Sequence, residues 1–552
     1  MSRPRMTQTV FLCLTLAIGL WSLRPLRDFQ YYLSTGDHGR DLYAFEQTME
    51  GRAPYRDYEW LSGPLMPYYY ALFFGVFGAT IQTALLAQNI LILTAGVLVY
   101  FTCALWLSPA MAMTAALWYW AFRGPEFFHT YNHIGGLVMI LLTLYALLRY
   151  LKTPSLRTVF LGATALLALL LIRLNMGLAL WGAFFLGLIL IDRQRTEAVF
   201  LSWKPGRVLL PAGVLLIAAL VYWGLLGDQP GYIVYQSFPY GKTQRTDATT
   251  GILGSLGLLG HILVKNFTAS WPRRLMALLL LSSGLLTGGV LLRHRGRPVI
   301  RETVLSLGLL LIVFTASLHE FLASGVFYRL HWSAAIFFIL IFYLIFWTTR
   351  LGPRRIFTPT VRALLALILC VTAVKQIHNE HHNIAAFKQG LGTVLSVGKN
   401  RVYLSQQKQW TEVVHQSVAF LKNHVPPEEA VLVIPFDALY CFLAQRPCAS
   451  RQLVFFEHIL IPPQQEKKII QEMETKGVDW VLLSNRVRSD EPGMGTFGRT
   501  YGRLLHHYIM TRFEPVARFG DWTRPGGWVY PHGTLILRRK TPLPAATANT
   551  PR

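Results

Sequence analysis

Apolar runs of membrane-spanning length recur through the first two thirds of this chain and restrict its fold more than any other feature. They cover residues 10–23, 81–105, 110–122, 134–148, 159–172, 176–191, 208–226, 275–292, 304–318, 332–347 and 363–374. Several are shorter than the roughly 20 residues of an upright span, so their ends are placed only to within a few residues. Charged residues make up 14% of the chain, against about 25% in soluble proteins. We therefore predict a polytopic α-helical membrane protein with about 11 transmembrane helices.

The basic residues indicate an orientation in the membrane. The chain has 52 Lys and Arg against 28 Asp and Glu. With a cytoplasmic amino terminus, these basic residues fall in short cytoplasmic loops, as the positive-inside rule expects: Arg3, Arg5, Arg149, Lys152, Arg157, Arg193, Arg195, Lys204, Arg207, Arg293, Arg295, Arg297, Arg301, Arg350, Arg354 and Arg355. The placement of the basic residues therefore explains their excess, and we expect no nucleic-acid partner. This orientation requires that residues 64–77 form a juxtamembrane or partly dipping helix, and it places the carboxyl-terminal region on the external side of the membrane.

Composition divides the chain into three zones. Residues 1–375 form the membrane module, with external loops near 24–63 and 227–272. Residues 376–540 alternate amphipathic helical patterns with short β-branched runs, which predicts a soluble periplasmic α/β domain. Residues 541–552 have the composition of a disordered tail. Cys441 and Cys448 both lie in the soluble region. The sequence leaves open whether they form a disulfide or remain two unpaired thiols.

The first external loop carries the acids that suggest chemistry. The pattern LYAFEQTM predicts a helix that begins near Asp37 and ends at Gly51. Such a helix places the Asp37 carboxylate at its positive end, and an ionised carboxylate at a membrane edge can accept a proton from an incoming hydroxyl. The alternative is that Asp37 is a helix cap and nothing more.

The order of features in this loop resembles the GT-C superfamily of polyprenyl-phosphate-sugar-dependent glycosyltransferases. That superfamily includes the protein O-mannosyltransferases and the lipid A aminoarabinose transferase. The matching features are Asp37, Tyr43, Gly51, PYRD at 54–57, GPLMPYYYALF from Gly63, and Phe77-Gly78. The resemblance implies a GT-C-like fold and an enzyme that moves a sugar from a polyprenyl-phosphate donor to a lipid, glycan or protein acceptor. It also implies that Asp37 is the catalytic base, with Asp41 as the alternative one helical turn further on.

The match departs from the family at one position. The usual Asp-Glu pair is Asp37-His38 here, and a histidine cannot replace a carboxylate as an anionic ligand. No cofactor is implied with certainty, and the divalent metal that some family members use is left open. His38 and Tyr43 are expected on the acceptor side of the site.

The resemblance implies further polar groups at the outer ends of later spans. Glu126, Asn132 and His133 are expected to orient the acceptor, the alternative being an external turn in contact with water and headgroups. The donor phosphate needs cations, and the candidates are Arg173, Arg329, His331, Lys242 and Arg245, with Tyr240 beside them for sugar contact. Snorkelling of arginines and an ordinary interfacial belt are the alternatives.

Other functions make different demands on the sequence. A transporter or lipid flippase would carry repeated halves and broken helices, and no such repeat is visible. A scaffold protein of the envelope is a third reading. The sequence has no dinucleotide fingerprint, Walker loop or His-Glu-x-x-His motif, so the energy for transfer is expected to come from the lipid-linked donor.

Overall fold

The computed structural model describes residues 3–122, 131–195, 197–226, 298–324, 332–351, 358–405, 407–457, 459, 461–489, 494–527 and 531–540. Helices α1 to α9 cover Arg3–Leu23, Asp37–Met49, Leu65–Phe77, Ile81–Cys103, Pro109–Phe122, His133–Lys152, Leu156–Ile172, Leu174–Gln194 and Gly206–Leu226. Helices α10 to α12 cover Pro298–Ser324, Ala334–Leu351 and Pro359–Ala386. These helices form the membrane part of the protein.

The predicted apolar runs coincide with helices wherever the structure describes them. Seven described helices are long and apolar enough to cross a membrane, and Leu65–Phe77, Leu156–Ile172 and Ala335–Trp347 are shorter apolar helices. The predicted run 275–292, the second external loop near 227–272 and the tail 541–552 lie outside the described residues. The stretch predicted to dip without crossing is α3, which packs between α2 and α4.

The region after the membrane helices combines small helices with two sheets. Helices α13 to α16 cover Lys408–His424, Leu439–Ala444, Pro463–Thr475 and Arg503–Arg512. Strands β2 to β7 cover Thr393–Val397, Asn400–Leu404, Val431–Ile434, Trp480–Ser484, Phe513–Gly520 and Gly533–Arg539. The four-stranded sheet has the order β4-β5-β7-β6, with β4 and β5 parallel and the other pairs antiparallel. This confirms the predicted soluble α/β region.

Two details of this region follow from its packing. Strand β7 pairs with both β5 and β6 and is internal to its sheet. Its alternating Leu535 and Leu537 explain this, because both pack against one hydrophobic core. Helix α12 also continues through a π-helical turn to Leu391, so the first strand of the soluble region begins at Thr393.

The first loop and the soluble region form one packed unit. Strand β1, Phe29–Gln30, directly follows the first membrane helix and pairs in parallel with Tyr403 and Leu404 of β3. Glu59 is buried and accepts hydrogen bonds from the backbone N–H groups of Leu453 (2.7 Å) and Val454 (2.8 Å). The loop is thus held by the domain that follows it nearly 400 residues later.

The two cysteines of the soluble region form a disulfide, Cys441–Cys448. Cys441 lies in the short helix α14, and Cys448 lies in the loop that follows it. The backbone N–H of Cys448 donates to the Tyr43 hydroxyl (3.1 Å). The disulfide loop therefore rests directly on α2.

Candidate active site

Helix α2 carries the predicted acids and is buried along almost its whole length. It begins at Asp37 as predicted, and Gly51 beyond its end has a positive φ of 86°, a conformation that glycine adopts without strain. Residues from His38 to Thr48 are all buried. A helix this polar is buried because the soluble region covers the side that does not face α3.

Glycines at the start of α2 allow the soluble region to approach it closely. A Cβ added at Gly36 would lie 2.6 Å from the ring of Phe436, and one added at Gly39 would lie 2.4 Å from the backbone nitrogen of Leu439. The backbone N–H of Leu439 also donates to the Thr35 carbonyl (3.2 Å). The amino-terminal turn of α2 is therefore fixed against the start of α14.

We expect Gly39→Ala to destabilise this contact by about 1–3 kcal/mol, because the new methyl group meets backbone that cannot rotate away. The matched control is Gly75→Ala in α3, where an added Cβ meets no atom within 4 Å. Thermal unfolding of the two variants in detergent measures the difference. Equal unfolding temperatures for Gly39→Ala and the wild type would contradict this account of the docking.

Asp37 and Asp41 lie on either side of Arg40. The Arg40 guanidinium is 3.5 Å from Asp37 Oδ1 and 2.8 Å from Asp41 Oδ1, and it lies over the rings of Trp60 and Phe436. The Asp37 side chain is 21% exposed and that of Asp41 is fully buried. Asp37 is therefore the accessible carboxylate of the two, and Arg40 holds the pair together.

Burial has a large effect on Asp41. It raises the pKa of Asp41 to about 6, although Arg40 and the backbone N–H of Asn132 act to lower it. The second oxygen, Oδ2, is buried and accepts no hydrogen bond of ordinary length from the described residues. Asp41 thus changes its charge near neutral pH, next to the accessible acid.

His38 is fixed by neighbours on three sides. Its Nδ1 accepts from the backbone N–H of Ser34 (3.3 Å) and lies 3.2 Å from the Ser34 hydroxyl. Its ring meets Tyr32 and Tyr131 edge to face, with centroids 5.4 and 5.2 Å away. This packing orients the imidazole toward the amino terminus of α6.

The start of α6, which carries the predicted residues Asn132 and His133, meets α2 at that point. Tyr131 donates to Gln30 Oε1 (2.7 Å) and accepts from the Tyr70 hydroxyl through its carbonyl. Asn132 is buried at the N-cap of α6. The ring of His133 lies 5.5 Å from that of Trp332. The structure therefore brings the backbone of Asn132 beside Asp41, whereas the ring contact of His133 is with Trp332.

Arg173 lies on the far side of Trp332, between α7 and α8. Its Nε and Nη2 donate to the two carboxylate oxygens of Glu320 at 2.7 and 3.2 Å, and its guanidinium lies 5.8 Å from the Trp332 ring. Asn175 and the Trp332 indole also donate to Glu320. Arg173 was predicted as a candidate for binding the donor phosphate, and the pair that it forms with Glu320 is neutral overall.

The first loop also contacts the junction between α7 and α8. The backbone N–H of Gly63 donates to the Ile172 carbonyl (2.9 Å), and a Cβ at Gly63 would lie 2.1 Å from the Leu171 carbonyl oxygen. Gly63, at the end of the first loop, therefore contacts the residue that precedes Arg173. We name as the candidate active site the group formed by Asp37, His38, Arg40, Asp41, Asn132, His133, Arg173, Glu320 and Trp332.

The remaining predicted residues divide into two groups. Tyr43 lies on α2, and its hydroxyl binds Cys448; burial raises the pKa of Tyr43 to about 12. It therefore faces the disulfide loop. The other predicted residues, Glu126, Tyr240, Lys242, Arg245, Arg329 and His331, lie outside the described residues.

The prediction from the sequence did not include Arg40 and Glu320 among the site residues. Arg40 stands three residues after Asp37 and next to Asp41, a spacing at which charges on one helix interact. Glu320 is a lone acid near the end of a strongly apolar helix, and an acid in such a place usually has a function or a partner. Both signals were present in the sequence.

The acids of the first loop do not form a metal site in the described part of the chain. The Arg40 guanidinium occupies the position between Asp37 and Asp41 where a cation would bind both. The Nδ1 of His38 is bonded to Ser34. No group of three or more His, Cys, Asp or Glu side chains among the described residues is placed to hold a metal ion. The donor set of the described first loop therefore does not fit a metal.

Comparison with known proteins defines the fold family. No family model and no curated protein matches the sequence. The structure is similar to that of ArnT from Cupriavidus metallidurans, which has been solved in the apo state and bound to undecaprenyl phosphate. The identity is 12%, the TM-scores are 0.54 and 0.53, and the match covers 96% of this chain and 97% of ArnT.

Two further similarities have TM-scores below 0.5. The oligosaccharyltransferase AglB from Archaeoglobus fulgidus, solved with an inhibitory peptide and a dolichol-phosphate, gives 0.47 at 14% identity, covering 87% of this chain and 69% of AglB. The mycobacterial arabinofuranosyltransferase AftD gives 0.49 at 14% identity, covering 96% of this chain and 41% of AftD. The fold assignment therefore depends on ArnT. Its extent over nearly all of both chains confirms the fold expected from the first loop: this chain is a multi-pass membrane protein with the GT-C fold.

Proposed function

We propose that the protein is an integral membrane glycosyltransferase that moves one sugar from a polyprenyl-phosphate donor to an acceptor hydroxyl of the cell envelope. The observation that carries the proposal is the joining of Asp37, the amino terminus of α6 and Arg173 in one cluster at the end of the helices nearest the soluble region. The acceptor is a lipid, a glycan or a protein. ArnT binds undecaprenyl phosphate on the same fold, which supports a lipid phosphate as the donor's leaving group.

The proposed reaction inverts the configuration of the sugar. The acceptor oxygen attacks the anomeric carbon, the bond from that carbon to the phosphate oxygen breaks, and polyprenyl phosphate leaves with the electron pair. Asp37 takes the acceptor proton, because it is the carboxylate that solvent and an acceptor can reach. His38, Asn132 and His133 lie where they would orient the acceptor.

Arg173 would position the donor phosphate through the edge of its guanidinium that does not bind Glu320. Glu320 cancels its charge, so net positive charge must come from other cations. Lys242, Arg245, Arg329 and His331 are the candidates that the sequence offers, with Tyr240 contributing to sugar contact. The proposed location is the bacterial inner membrane, with the amino terminus in the cytoplasm and the active site in the periplasm, and the basic loops support this orientation.

The pH dependence of transfer should report on Asp41. Its raised pKa means that it is ionised above about pH 6 and protonated below. Protonation removes one partner of Arg40, which then pairs more strongly with Asp37 and weakens it as a base. We expect turnover to fall as the pH decreases through about 6, and Asp41→Asn to lose this transition. A wild-type rate that is constant from about pH 5 to about pH 8 would contradict the coupling.

The proposed function is tested by comparing envelope glycolipids by mass spectrometry with and without the protein. A missing mass identifies the sugar, and the molecule that lacks it identifies the acceptor. The purified protein should then transfer that sugar from its polyprenyl phosphate in detergent. An unchanged glycolipid profile together with no turnover would reject the enzyme and favour a transporter or flippase.

A further inference from the structure

A polar pocket lies at the opposite end of α2 from Asp37. Its volume is about 740 Å³, and its walls come from the first loop, the disulfide loop and helix α15. At 1.5 Å per residue, the lining residues Tyr43 and Glu50 lie about 9 and about 20 Å along the helix from Asp37. It is therefore separate from the candidate active site but connected to it by a rigid helix.

The walls of this pocket carry more positive than negative charge. Five basic side chains line it, from Arg52, Arg56, Arg451, Lys468 and Lys476. Three acids also line it: Glu50, Asp57 and Glu472. Asp57 is already bound to Arg56, with Nη2 and Oδ2 2.8 Å apart. The side chains of Arg52 and Lys468 are exposed, and neither forms an ion pair with any residue that the structure describes. Both cations line the pocket, Arg52 from the first loop and Lys468 from α15.

The floor of the pocket is rigid and partly aromatic. Tyr58 is buried and its hydroxyl lies 2.6 Å from that of Thr48. Tyr43 is held by Cys448, which the disulfide fixes. Ser450 is buried beside them and accepts from the backbone N–H of Gln452 (3.0 Å). Tyrosine faces suit sugar rings and cations suit phosphate or carboxylate groups, so the floor and rim together match a charged sugar.

We propose that this pocket binds the anionic end of a glycan, a sugar that carries a phosphate or a carboxylate. Identifying that glycan as the acceptor rests on the proposed function. The charged end of the acceptor would then be held by Arg52 and Lys468. The pocket would select acceptors by charge, at a distance from the bond that is formed.

The test uses the full-length protein in nanodiscs and two probes, maltotriose with a terminal phosphate and unmodified maltotriose. Isothermal titration calorimetry at low salt should show binding of the phosphorylated probe about tenfold tighter or more. Arg52→Ala/Lys468→Ala should abolish that preference. The matched control is Lys399→Ala/Arg518→Ala, which removes two exposed basic side chains outside the pocket and should leave the preference intact.

The outcomes separate this proposal from the proposed function. Asp37→Asn should bind the phosphorylated probe like the wild type, because Asp37 is not part of the pocket. Equal binding of both probes by the wild type, or an equal loss in the two double variants, would overturn the pocket even if transfer is observed. If the pocket binds as expected and the natural acceptor is known, the Arg52/Lys468 variant should raise KM for that acceptor and leave kcat unchanged. An unchanged KM would overturn the acceptor role.

Discussion

Replacing Asp37 with asparagine should reduce sugar transfer by about 10²- to 10⁴-fold, the usual contribution of a general base. The asparagine has the same shape and can still contact Arg40, but it cannot accept the acceptor proton. Folding and membrane insertion should be unchanged, because the Asp37 side chain is partly exposed and pairs at a distance of 3.5 Å. Transfer of the sugar by purified wild type and variant, at saturating donor, measures the effect.

Two variants on the same helix sharpen this experiment. Glu46→Gln is the matched control, since Glu46 is buried further along α2 and accepts from Gln445 Nε2 (2.9 Å), a bond that glutamine can keep. It should retain near wild-type transfer. Asp41→Asn tests the alternative base. If Asp41→Asn is inactive and Asp37→Asn is active, the roles that we assign to the two acids are reversed.

Removing the charge of Arg173 should have two separable effects. Arg173→Gln leaves the Glu320 carboxylate, which is 2% exposed, without its main counter-charge, and loss of one partner of a buried pair costs about 3–5 kcal/mol. It should also weaken donor binding. In Arg173→Gln/Glu320→Gln no lone buried charge remains, so most of the stability should return. The donor KM should stay raised by about tenfold or more, because the guanidinium that we propose to contact the phosphate is absent.

A second ion pair in the same protein provides the control. Lys152 and Glu302 lie 2.9 Å apart, and their side chains are 31% and 52% exposed. Lys152→Gln should change stability by about 1 kcal/mol or less, as expected for an exposed pair, and should leave donor KM unchanged. Recovery of full transfer by the Arg173→Gln/Glu320→Gln variant would show that Arg173 stabilises the fold and does not bind the donor.

Local sequence patterns predicted much of the candidate site. The helix from Asp37, its end before Gly51 and the short helix after Gly63 follow from cap residues and apolar spacing over a few turns. The membrane helices follow from apolar length in the same way. The disulfide between Cys441 and Cys448 was one of two open readings, and the structure decided between them.

Local sequence patterns could not predict contacts between residues that are distant in the sequence. Glu320 binds Arg173, which lies 147 residues away in the sequence. A lone acid in an apolar helix gives no indication of which residue it pairs with. Phe29 pairs with Tyr403, which lies on a strand that begins at Asn400, but a strand of two residues leaves no periodic signal. Arg40 occupies the space between the two acids, and only the packing of Trp60 and Phe436 around it shows why it stays there.

The pairing of β1 with β3 has a consequence for the order in which the protein matures. Residues 29–30 leave the ribosome early, yet their partners Tyr403 and Leu404 are translated more than 370 residues later. During biosynthesis the first loop therefore lacks its final neighbours until the distal region has been translated and has folded. A nascent chain released before that point would contain every acid of the loop without the strand that holds its beginning in place.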